Sequence, residues 1–65
     1  MINDAELRRQ LSLLLVTKTR NQIVQEIKEG QKTTFHQYNI DKFLNEKDVA
    51  LSTIKKIEKY ILNNR

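Results

Sequence analysis

Between residues 35 and 61 the apolar side chains recur at helical spacing, and no proline interrupts them. They are Phe35, Ile40, Phe43, Leu44, Val49, Leu51, Ile54, Ile57 and Ile61. Steps of three and four residues gather such side chains on one side of a helix, whereas a half-buried strand alternates by two. The stretch predicts a short helix over 36–45, a polar turn over 45–48 and an amphipathic helix over 50–63. The whole chain has no proline and a single glycine, which excludes a turn-rich β fold.

The segment before it reads the same way. Asn3, with Glu6 three residues later, has the spacing of a helix cap. Leu7, Leu11, Leu14 and Leu15 then share one helical face. Leu13 and Val16 widen that stripe, which predicts a first helix buried on more than one side. Arg8 and Arg9 fall off the stripe and are expected in solvent. Thr19 with Gln22 repeats the capping spacing and opens a second helix over 20–29, with Ile23 and Ile27 inward and Val24 beside them. Gly30 is placed for the left-handed residue that ends a helix. Residues 31–34 are polar and read as a loop, and Phe35 anchors the helix that follows. The expected fold is all-α, a compact bundle of four short helices.

At 65 residues the chain makes one domain, taken as 1–65, with a core that is marginal unless the helices pack well or the chain dimerises. The absence of cysteine removes disulfides, thiol catalysis and cysteine-bound zinc. It fits a reducing compartment, and a cytoplasmic location is expected. The apolar run from Leu11 to Val16 is far shorter than the roughly 20 residues of a membrane span, so no membrane association is expected.

Catalysis finds no support. His36 is the only histidine and has no second His or Cys to share a metal with. Asp41, Glu46, Asp48 and Glu58 form no convincing acid–base pair, and Ser12 and Ser52 lack a neighbouring base. No glycine-rich phosphate loop is present. A non-enzymatic protein without metal, cofactor or small-molecule ligand is expected. The net charge of +4 and a pI near 9.6 are the electrostatic footprint of a nucleic-acid binder.

From Phe35 onward the pattern resembles the helix-turn-helix domains of the lambda-repressor and Cro type. The residues that carry it are Phe35, the polar stretch His36 to Asn39, Ile40, Lys42, the pair Phe43-Leu44, Asn45-Glu46 and the segment Leu51 to Ile57. The resemblance covers about half the chain. The first half departs from it. The gap from Gly30 to Phe35 is longer than the family's usual three- or four-residue turn, so the helix-turn-helix is a modified one. Val24 stands where the family has a small residue, and Glu46 where it has glycine. Shortening the loop by sliding the register would bury Glu29, a costly placement for a carboxylate.

The resemblance implies a sequence-specific regulator that binds double-stranded DNA, a small repressor or Cro-like switch protein of a phage, plasmid or other mobile element. It puts base reading on Gln37, Tyr38, Asn39 and Lys42. Gln and Asn side chains suit this role, because they can pair bidentately with adenine in the major groove. Lys32, Thr33, Thr34, His36 and Lys47 flank that helix as candidate phosphate contacts. Thr19, Arg20 and Asn21 open the second helix, where this fold class docks on the backbone. Tyr60, Ile61 and Leu62 exceed what one core stripe needs and predict a homodimer interface. The alternative is a helical protein-binding module or inhibitor without DNA-binding activity, because a fold does not fix a function.

Overall fold

The computed structural model describes residues 3–64. Four helices follow one another, α1 (Asp4–Thr17), α2 (Arg20–Gln31), α3 (Gln37–Leu44) and α4 (Leu51–Asn63), and no strand occurs among the described residues. The chain is an all-α bundle, as its apolar spacing predicts.

Local chemistry starts the first two helices. The Asn3 side chain accepts from the Glu6 amide at 2.8 Å and caps α1. At the start of α2 the Thr19 hydroxyl accepts from the Gln22 amide while the Gln22 side chain accepts from the Thr19 amide, a full capping box. Such caps satisfy amides that have no partner inside the helix and are worth about 1 kcal/mol each.

The core joins all four helices and the loop before α3. Leu7 and Leu11 meet Ile23, Val24, Ile27, Phe35, Ile40, Phe43, Ile57, Tyr60 and Ile61, every one buried. No polar or charged residue lies in it. The N-terminal parts of α1 and α4 meet where Asp4, Arg8 and Ile54 line one groove, and their C-terminal parts meet where Lys18 reaches Tyr60. The two helices therefore run side by side in the same direction, and α2 and α3 close the bundle against them.

Several expectations need correcting. Leu13 and Val16 are 54% and 80% exposed, so α1 buries one face only. Leu7 and Leu11, edged by Leu14 and Leu15, already fill the space α1 shares with its neighbours. Leu51 is exposed as well, at the first turn of α4. Arg8 is not simply solvated. Its guanidinium lies 5.5 Å from the centroid of the Phe43 ring and 3.6 Å from the Glu46 carboxylate.

Gly30 does not end α2. The helix continues to Gln31, and Lys32 takes the left-handed conformation with φ 50°. Tertiary contact accounts for the two further residues. The Gln31 amide group donates to the backbone carbonyl of Lys56 in α4 at 2.9 Å, and the Lys56 ammonium donates to the carbonyl of Thr34 at 3.1 Å. These two bonds hold the end of α2 and the loop against α4.

Candidate nucleic-acid interface

Helix α3 is anchored from within. Ile40 and Phe43 are buried, and the side of the helix turned away from them carries Tyr38, Asp41 and Lys42. Gln37 and Tyr38 are exposed and Asn39 is half-buried. Gln37, Tyr38 and Asn39 thus share the first turn of one eight-residue helix, with Lys42 exposed one turn further on.

Aromatic contacts order that turn. His36 precedes the helix at its cap position but makes no side-chain capping bond. Its ring instead stacks on Tyr38, with centroids 5.1 Å apart and planes 8° from parallel. The Lys42 ammonium lies 5.4 Å from the centroid of the same Tyr38 ring, one turn further on. Stacking and cation–π attraction each contribute about 0.5–1.5 kcal/mol at such sites. Tyr38, although half exposed, is held by neighbours on both sides of it in sequence. With no side-chain cap, the Asn39 amide turns back to the His36 carbonyl at 3.0 Å.

Asp41 is an acid on this otherwise polar and basic face. Its carboxylate pairs with Arg20 at the start of α2. The pair neutralises the acid and ties the two helices together. It also engages Arg20, a residue expected to contact phosphate. No spacing rule links residues 20 and 41, so the pairing had no local signal.

The other predicted contacts are distributed around α3. Thr19 is occupied as the α2 cap, and Asn21 beside it is exposed. Lys32 is exposed, Thr33 is half-buried with its amide bonded to the Lys28 carbonyl at 3.2 Å, and Thr34 is exposed. Lys47 is exposed just past α3, and its amide closes on the Lys42 carbonyl at 2.9 Å. That bond, with the Glu46 amide on the Phe43 carbonyl at 3.2 Å, makes a Schellman closure around Glu46, whose φ is 58°. Glu46 thus adopts the backbone conformation that favours glycine.

Charge is sorted in the same way. Among the described residues, Arg8, Arg9, Lys18 and Arg20 pair with carboxylates. Lys28, Lys32, Lys42, Lys47, Lys55 and Lys59 have no carboxylate partner, so the surplus positive charge sits on lysines of α2, α3, α4 and the loops.

Tyr60 and Ile61, two of the three residues expected at a dimer interface, are enclosed in the core at 4% and 1% exposure, and only Leu62 is exposed. The Tyr60 hydroxyl donates to Glu26, and Lys18 donates to both, at 2.8 Å to Glu26 and 3.3 Å to Tyr60. Hydrogen bonds from Lys18 and Tyr60 hold the Glu26 carboxyl below the usual range. Burial, and then the bond to Glu26, pushes the Tyr60 hydroxyl up. The bond to Glu26 likewise raises Lys18.

No cluster of three or more His, Cys, Asp or Glu suited to a metal occurs among the described residues, and none of their helices is long and apolar enough to cross a membrane. No protein-family model, curated protein or solved structure matches the chain.

Proposed function

We propose that this protein is a sequence-specific DNA-binding regulator that presents α3 to the major groove as the second helix of a modified helix-turn-helix. The observation that carries the reading is the outer turn of α3. Gln37, Tyr38 and Lys42 are exposed, with Asn39 half-buried beside them, on a helix held to the core by Ile40 and Phe43. A groove about 12 Å wide accepts a helix, and amide side chains at its N-terminal turn match the donor and acceptor of adenine. Tyr38 is positioned to pack on a thymine methyl or bond a phosphate.

Lys32 and Lys47 flank α3 in sequence, without carboxylate partners among the described residues, and Thr33, Thr34 and His36 add polar groups before the helix, while Asn21 is exposed at the start of α2. Phosphates are their natural ligands, and such contacts set position while the α3 side chains set sequence. The resemblance to the lambda-repressor and Cro type points to a repressor or Cro-like switch of a phage, plasmid or other mobile element, acting on cytoplasmic DNA by occupying an operator.

Titration of binding against salt tests the reading. Contacts to about four phosphates imply a log–log slope near −3.6, or roughly a 100-fold loss of affinity between 50 and 200 mM salt. A site selected from a random library is expected to outcompete mixed-sequence DNA. Absence of any DNA affinity at low salt would leave the protein-binding module as the better account.

A further inference from the structure

Arg20 is the first residue of α2, its place fixed by the Thr19 cap. Ile23 and Ile27 follow it on the same side of the helix, so Arg20 continues the buried line of α2 past the edge of the core. From there its side chain crosses to α3, where Nη1 donates to the Asp41 carboxylate. Asp41 stands one turn after Gln37 and Tyr38 and next to Lys42, on the outer side of α3. The guanidinium is therefore pinned to the helix surface that carries the proposed base readers, and not to the far end of α2.

Both side chains of the pair are about half exposed, and such ion pairs add little to stability. What this one fixes is direction. Arginine carries five N–H donors in a rigid planar fork, and among the described residues only Nη1 is engaged. The edge formed by Nε and Nη2 stays open to a ligand with two acceptors. Phosphate and guanine both offer that pair of acceptors, and the neighbouring carboxylate decides between them. A phosphate at this edge is brought close to the Asp41 charge, and a guanidinium already paired neutralises it poorly. Guanine O6 and N7 carry no formal charge and accept both N–H bonds without that repulsion. Holding the fork in place beforehand also lowers the ordering cost of a two-bond contact.

We infer that Arg20, oriented by Asp41, reads a guanine in the major groove as a further base contact beside Gln37 and Asn39. Asp41 is its positioning residue. Base reading by Arg20 rests on the proposed binding of DNA through α3, and it names a base and the residue pair that selects it. It replaces the phosphate contact expected of Arg20 from its place at the start of α2.

Duplexes selected from a random library by the full chain, then varied one base pair at a time, test this. One G·C pair is expected whose replacement weakens wild-type binding by about 5- to 150-fold. Arg20→Ala is expected to lose discrimination at that pair and to keep it at the others, which also shows that the variant is folded. Asp41→Ala is expected to bind mixed-sequence DNA no more weakly than wild type, having lost a negative charge. It is nevertheless expected to discriminate the guanine several-fold less, although Arg20 is still present. A phosphate contact gives a different pattern, in which Arg20→Ala weakens all duplexes alike and makes the salt slope shallower by about 1. That pattern overturns the inference. So does a selected site in which no position depends on Arg20, or an Asp41→Ala protein with the wild-type guanine preference. All three leave DNA binding standing. A wild-type chain that selects no site from the library overturns the DNA-binding reading itself, and base reading by Arg20 falls with it.

Discussion

The hydroxyl of Tyr60, in α4, donates to the carboxylate of Glu26, in α2, across 34 residues of sequence. With Lys18 from the end of α1, the pair fastens three helices at one end of the bundle. Tyr60→Phe keeps the ring and removes the donor. It is expected to lower stability by about 1–2 kcal/mol. For a domain of this size that is a fall in Tm of about 4–8 °C per kcal/mol. An unchanged melting temperature would mean the cluster adds nothing to the fold.

The same cluster makes stability depend on pH in two windows. Glu26 titrates lower in the folded chain, so its contribution is present above the ordinary carboxylate value of about 4.3 and is lost as pH falls through the depressed one. Tyr60 and Lys18 titrate higher when folded. Their contributions are complete below the ordinary values of about 10 and are lost as pH rises through the raised ones. Denaturant melts across pH are expected to show both limbs. Glu26→Gln should flatten the acid limb, and a variant that keeps the wild-type acid limb would assign it to other carboxylates.

Lys32 and Glu46 bracket α3 with positive φ, at 50° and 58°. A left-handed residue with a side chain costs about 1 kcal/mol that glycine avoids. Lys32→Gly is expected to raise stability by about that amount while making the salt slope of DNA binding shallower by about 1. Glu46→Gly loses only the exposed contact with Arg8 at 3.6 Å, and it is expected to stabilise without reducing the slope. Melts and salt titrations of both variants separate backbone strain from phosphate contact. A Lys32→Gly protein with the wild-type slope would remove Lys32 from the interface.

Gln37 and Asn39 carry the sequence preference in the proposed complex. Gln37→Ala or Asn39→Ala is expected to cost about 1–3 kcal/mol on the selected site and to relax discrimination among bases. The folded state should be unaffected, because neither side chain is in the core. Binding of both variants at wild-type strength and specificity would reject α3 as the reading helix.

Phe43 is 2% exposed and lies between the core and the Arg8 guanidinium. Phe43→Ala is expected to cost about 3–5 kcal/mol. The whole folding free energy of 65 residues is only about 3–10 kcal/mol, so circular dichroism should show a partly or wholly unfolded chain at room temperature.

What the chain determines without its tertiary structure is what neighbours in sequence can settle between themselves. Asn3 with Glu6 and Thr19 with Gln22 set two helix starts, and periodicity set the inward phase of Ile23, Ile27, Ile40, Phe43 and Ile57. The exposed first turn of α3, with Gln37 and Tyr38, was legible for the same reason. Packing decided the rest. Periodicity gives the direction of a helix face but not how many neighbours will cover it, so Leu13 and Val16 ended outside while Tyr60 and Ile61 ended inside. The end of α2 moved from Gly30 to Lys32 with the bond from Gln31 to Lys56, 25 residues away. Arg20 met Asp41 only because α2 and α3 cross. A cap is settled within one turn of chain, whereas an ion pair or a buried tyrosine depends on which helices the whole core brings together.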